Sequence, residues 1–120
     1  MENPIDEFAQ RFIEAADTQE ALSWLQGSTS KKPRTIGEDE TTEESIQLVE
    51  ELYAAGAAQV LAVEIADYGE GQNTGKLIIE LSDIEDDREP VLSIAGKIAE
   101  SQGFDPEPDT GQKYVFVMLD

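Results

Sequence analysis

Ile5, Phe8, Ala9, Phe12 and Ala16 recur at the three-to-four spacing of a helix, with Ile13 at the margin of the stripe. Asn3 supplies a cap, Pro4 suits the first helical position, and Asp6 and Glu7 sit where the macrodipole favours acid. Asp17 or Thr18 reads as a fresh cap for a second short helix, apolar at Ala21, Leu22, Trp24 and Leu25 and ended by Gly27. The two pieces predict an N-terminal helical arm over residues 1–26 with a strong apolar face. Residues 27–34, GSTSKKPR, are small, polar and basic and carry a proline, which predicts a linker.

The pattern then changes twice. Thr41 with Glu44 three residues on is a capping box, opening a helix that runs through Ala55 and stops at Gly56. Ile46, Leu48, Val49, Leu52 and Tyr53 cover one broad side of it, and Glu43, Gln47, Glu50 and Glu51 the other. Gln59–Asp67 alternates as a strand, with Leu61, Val63 and Ile65 on one face and Val60, Ala62 and Glu64 on the other. After the loop YGEGQNTG, Lys76–Ser82 alternates again, with Leu77, Ile79 and Leu81 against Ile78 and Glu80, so a hairpin with a long tip is expected. The glycines of that loop, Gly69, Gly71 and Gly75, stand between two strands rather than before a helix, so no phosphate cradle is read there.

Asp86 or Asp87 is placed to cap a further helix, with Pro90 in its first turn and Val91, Leu92, Ile94, Ala95, Ile98 and Ala99 on one side. Gly103 followed by Phe104 predicts a Schellman ending. The acidic loop DPEPDTG leads to a last strand, Tyr114–Leu119, apolar on both faces.

The order reads as (β)αββαβ over residues 35–120, an acidic α+β domain built as a two-layer sandwich. With a strand near Thr35 this is a ferredoxin-like arrangement, an antiparallel sheet with two helices on one face. KKPRTIG, charged and proline-bearing, suits a central strand poorly, which leaves a three-stranded ββαβ variant as the alternative. In either form the second sheet face is apolar. The arm or a second copy of the chain is expected to cover it, so the protein is either a monomer or a homodimer through the open sheet face.

Composition narrows the chemistry. The 120 residues carry 27 acids and 8 bases, a formal charge of −19, with no histidine and no cysteine. Imidazole general bases, thiolate nucleophiles, disulfides and the usual zinc or iron–sulfur ligand sets are therefore absent. Residues 1–34 hold six acids against four bases, and residues 35–120 hold twenty-one against four, a net of −17. Such a surface repels phosphates and anionic lipid, so direct nucleic-acid and membrane binding are not expected, whereas a basic partner is attracted. The opening MENPIDEF has acid where a secretory signal needs base, and no stretch approaches the ~18 apolar residues of a membrane span. The expected location is cytoplasmic, in keeping with the absence of cysteine.

Two sets of residues are candidates for function. Asp67, Glu70, Asp105, Glu107 and Asp109 are oxygen donors of the kind Ca2+ or Mg2+ takes, expected at one end of the sheet. Their spacing matches no EF-hand loop and a solvated acidic turn is the plainer reading, so no cofactor is expected. The serines lack a histidine partner and a G-x-S-x-G setting, and no carboxylate pair stands out from the other acids. The second set is an interaction surface. Phe8, Phe12, Trp24, Tyr114, Phe116 and Met118 are its apolar part, and Glu43, Glu44, Glu50 and Glu51 its acidic part. The expectation is a non-enzymatic, acidic protein-binding module for a basic partner, of inhibitor, immunity or adaptor type. The alternatives are a divalent-cation or small-ligand domain, and a nucleic-acid mimic whose carboxylates imitate phosphates.

Overall fold

The computed structural model describes residues 4–15, 18–37, 41–106 and 108–119. In chain order these form α1 (Pro4–Ile13), β1 (Gln19–Glu20), α2 (Ala21–Gln26), β2 (Arg34–Ile36), α3 (Thr42–Ala55), β3 (Gln59–Val63), β4 (Ala66–Tyr68), β5 (Gly71–Thr74), β6 (Lys76–Glu80), α4 (Glu85–Ser101) and β7 (Tyr114–Met118). Asn3, Ala16 and Asp17, read above as caps and a stripe position, lie outside the described residues. The fold is α+β, centred on a four-stranded antiparallel sheet of order β1-β3-β6-β7. Among the described residues no helix is long and apolar enough to cross a membrane.

Local signals place the helices. Thr41 Oγ1 accepts the Glu44 N–H at 3.2 Å, and Gly56, at φ 123°, closes α3 in a conformation that disfavours a side chain. At the end of α4, Phe104 N–H reaches the Ala99 carbonyl at 2.8 Å with Gly103 at φ 83°, the expected Schellman ending. Two caps differ from expectation. Ile84 holds the cap position of α4, while Asp86 and Asp87 lie in its first turn. Glu20 caps α2, accepting from Leu22 N at 2.9 Å and Ser23 N at 2.8 Å, while the Thr18 hydroxyl bonds to the Phe12 carbonyl.

A ferredoxin-like sandwich is not confirmed. That topology would insert the strand near Thr35 between β6 and β7, yet those two pair directly, Ile78 opposite Phe116. The strand exists as β2, but it pairs in parallel with β5 in a separate three-stranded sheet of order β2-β5-β4. The expected flexible hairpin tip is thus β-structure. The chain kinks after β3, where Glu64 takes φ 50°, and the buried Thr74 hydroxyl donates to the Val63 carbonyl across the bend. Beyond the bend the hairpin continues as β4 and β5. Ile36 N–H is received by the Ser45 hydroxyl of α3 at 2.8 Å, fixing the small sheet to the main body, and within that sheet Asn73 donates to Thr35 Oγ1 at 2.9 Å.

The register also reassigns the faces. Leu61 stands opposite Ile78, and Val60 opposite Ile79, so Val60 and Ala62 share a face with Leu77, Ile79 and Leu81. Leu61 and Val63 therefore lie on the face opposite Leu77 and Ile79. With both faces of these strands apolar, alternation alone did not set which side each residue joins. Under this face lie α2, α3 and α4, contributing Ala21, Trp24, Leu25, Val49, Leu52, Val91 and Ala95 to one core. Three helices therefore cover it, where two were expected.

The other face, with Leu61, Val63, Ile78 and Tyr114 buried, is covered by α1 through Ala9, Phe12 and Ile13. The predicted arm is thus divided, its two helices packing on opposite sides of the sheet. The face that the sequence leaves open to a second copy is closed by the chain itself.

Candidate interaction surface

The acidic side of α3 follows from helical periodicity. Val49 and Leu52 turn inward, and Glu43, Glu44, Glu50 and Glu51 turn out and are exposed. Glu43 and Glu44 also lie in the first turn, where the helix dipole favours them. Among the described residues the side-chain ion pairs are Lys76–Glu64 and Arg88–Asp109, so most of the 27 acids have no cationic side chain against them.

The aromatic candidates separate. Trp24 is 1% exposed in the core beneath α3, and its indole N–H donates to Gln72 Oε1 at 3.2 Å, so it contributes nothing to a surface. Phe8, Phe12 and Phe116 form one cluster on the other side of the sheet. Phe8 meets Phe12 edge-on at 5.1 Å and Phe116 at 5.2 Å, and Phe12 stacks on Phe116 at 5.5 Å. Phe8 stays 44% exposed because it sits on the outer margin of α1. Tyr114 is buried and Met118 half-buried.

The five candidate cation ligands are not gathered. Asp67 on β4 and Glu70 on the β4–β5 turn are exposed, beside Lys32 and Arg34 around a depression of about 360 Å3. That turn lies beyond the end of the sheet where Lys76 pairs with Met118. Asp109 lies toward the opposite end, where Glu80 pairs with Tyr114. It accepts from Arg88 Nη2 at 2.6 Å and from Gly111 N at 3.0 Å, and Arg88 also donates to the Ser82 carbonyl at 3.2 Å. The Arg88 bond, helped by the Gly111 N–H, holds the Asp109 carboxyl below its ordinary pKa, and the same bond raises Arg88. Glu107 lies outside the described residues. Among the described residues no group of three or more Asp or Glu side chains is placed to hold a metal ion.

Sequence reasoning missed how the acidic loop is held. Residues 104–106 and 108–112 lie along α4 as a strap. Gly96 lets Pro106 lie against the helix, since a Cβ there would stand 2.9 Å from Pro106 Cβ. Gln112, fully buried, accepts from Thr110 N at 2.8 Å and donates to the Pro108 carbonyl at 3.0 Å. The one signal in the sequence is a glycine inside a helix.

Where the strap leaves α4, it opens a groove of about 260 Å3 lined by Ala99, Phe104, Asp105, Phe116, Val117 and Met118. The groove runs beside β7, one of the two outer strands of the described four-stranded sheet. No family model, curated protein or solved structure matches this chain, and its function rests on these residues alone.

Proposed function

We propose that this protein is a non-enzymatic, acidic protein-binding module whose partner is basic, an inhibitor, immunity-type or adaptor protein. The observation that carries the reading is the uncompensated charge: 27 acids against 8 bases, two ion pairs among the described residues, and four exposed glutamates on one helix. Carboxylates left without cations raise the cost of packing the chain by self-repulsion, and a basic partner relieves it while gaining on-rate. Chemistry offers little competition, because the chain has neither imidazole nor thiol, and its clearest carboxylate pairing is the Asp109 bond to arginine. The closure of the second sheet face by α1 favours action as a monomer. A chain without cysteine suits a reducing cytoplasm.

The test is capture from native lysate by the wild-type chain and by the E43Q/E44Q/E50Q/E51Q variant, at low and physiological salt. A basic protein held by the wild type at physiological salt and released by the variant is the expected result. Partners that are neutral or acidic, or equal capture by both chains, would overturn the reading.

A further inference from the structure

Among the described residues no strand pairs with the outer edge of β7, and its surroundings are those of a strand receptor. Gly75 with Leu119 and Leu81 with Lys113 are hydrogen-bonded pairs between β6 and β7, through Leu119 N to Gly75 O and Leu81 N to Lys113 O, each at about 2.7–2.8 Å. Alternation then turns the backbone groups of Tyr114, Phe116 and Met118 away from β6. Tyr114 N–H is taken: Asp6 of α1 accepts it at 3.0 Å, together with Lys113 N–H at 2.9 Å. Among the described residues nothing bonds the outward backbone groups of Phe116 and Met118. An open edge of this kind is a template for another chain.

The flanks of that edge are apolar on both sides. Phe8, on the α1 side, touches the Phe116 ring at 5.2 Å and is 44% exposed. Phe104, on the α4 side, is 51% exposed and shares the groove of about 260 Å3 with Phe116 and Met118. These are two of the three exposed large apolar side chains among the described residues. Acids sit at both ends: Asp105 lines the groove by Met118, and Glu14 lies with Asp6 around Tyr114.

We propose that the β7 edge at Phe116 and Met118 binds an extended segment of a partner protein that alternates apolar and basic residues, adding it as a further strand. Backbone bonds to Phe116 and Met118 supply the pairing, the Phe104 groove takes an apolar side chain, and lysine or arginine side chains reach Asp105 and Glu14. Charge selects this occupant over a second copy, because two chains of −19 repel each other along the edge. The inference rests on the basic-partner reading and names where that partner docks.

The probe is a seven-residue peptide of alternating lysine and valine, blocked at both ends. Its controls are the same peptide N-methylated on alternate amides and an all-lysine heptapeptide. Calorimetric titration at low salt is expected to give binding of the parent peptide at least about tenfold tighter than of either control, as loss of two backbone hydrogen bonds implies. Hydrogen exchange of the Phe116 and Met118 amides should slow in the complex. Met118→Pro removes an outward N–H that proline tolerates on an edge strand, and should weaken the parent peptide about tenfold while leaving the all-lysine peptide unchanged. Equal binding of all three peptides overturns the edge and leaves the basic-partner reading standing on charge alone. No peptide binding, with a basic protein still captured from lysate, overturns the edge only; failure of both overturns both. A dimer by sedimentation that Met118→Pro dissolves overturns the peptide in favour of a second copy.

Discussion

Tyr53 donates its phenolic proton to Glu20 Oε2 at 2.7 Å, and its phenolic oxygen accepts the Val60 N–H at 3.0 Å. One phenol therefore ties α3 to the cap of α2 and to the first residues of β3. Burial, with the Glu20 charge adding and the Val60 bond opposing, pushes the Tyr53 pKa up to about 12. Burial raises the Glu20 carboxyl, but the bonds from Ser23, Tyr53 and Leu22 outweigh it, so the carboxyl titrates below its ordinary value.

Stability should fall on the alkaline side through this node. A tyrosine in the unfolded chain ionises near ~10. The folded chain holds Tyr53 protonated to about 12, so its contribution is complete below the first value and is lost as pH rises through the second. Tyr53→Phe is expected to cost about 1–2 kcal/mol at neutral pH by stranding the Val60 N–H and a bond to Glu20. It should also flatten the alkaline fall. Glu20 works the other way, contributing above the ordinary glutamate range near ~4.3 and losing that contribution as pH falls through its lowered value. Urea titrations of both chains from acid to alkali check the two limbs, and parallel wild-type and Tyr53→Phe profiles would refute the assignment.

Salt should stabilise the protein. With −17 on residues 35–120, raising NaCl from about 10 mM to 500 mM shortens the Debye length from ~30 Å to under 5 Å and should raise Tm throughout. A flat profile in scanning calorimetry would mean that the acids are compensated locally.

Removal of residues 1–15 separates the two N-terminal helices by experiment. The loss of α1 should expose the face of Leu61, Ile78 and Phe116 and produce dye binding or self-association. Trp24 lies on the opposite face, so its fluorescence should resist iodide as well in the truncated chain as in the full one. A milder variant, Phe12→Ala, should cost about 2 kcal/mol, less than a fully buried ring, because Phe12 is half-buried. An iodide-sensitive Trp24 after truncation would place α2 elsewhere.

Gly71→Ala should loosen the small sheet. A Cβ at Gly71 would stand 1.9 Å from the Pro33 carbonyl oxygen, the atom that accepts Gln72 N–H at 2.9 Å. Relief requires β2 to move off β5, at a cost of about 1–3 kcal/mol. Hydrogen exchange of the Arg34–Ile36 amides reports it directly, and unchanged protection would contradict the close approach.

Calcium or magnesium at millimolar concentration should raise Tm no more than sodium chloride of the same ionic strength. An excess that D67N/E70Q abolishes, and that the opposite-end change Asp109→Asn leaves in place, would establish a cation site on the β4–β5 turn.

What the sequence made legible was local. A capping box, a glycine stop and a Schellman ending act within a few residues, and α3 and the end of α4 lie where those signals put them. The strands β1 and β2 are two and three residues long, and their pairing with chain some forty residues away leaves no periodic trace. Val60 and Leu61 are both apolar, so which of them faced α3 awaited the register with Ile79 and Ile78. The exposed glutamates of α3 were readable from helical period. The groove by β7 was not, because it depends on Pro106 lying against Gly96 and on which strand ends the sheet.

The bond from Asp6 to Tyr114 spans 108 positions of the chain. During synthesis α1 precedes the strand it fastens to by about a hundred residues. Until then its aromatic residues have no sheet to cover, and Trp24 likewise awaits Gln72, 48 residues later. The hairpin of β3 and β6 closes over a short stretch of chain, whereas α1 and Trp24 reach their partners across far longer ones. While those stretches are being made, the apolar side chains of α1 stay open to neighbouring chains. The dense negative charge of the chain would then keep the unfinished copies apart.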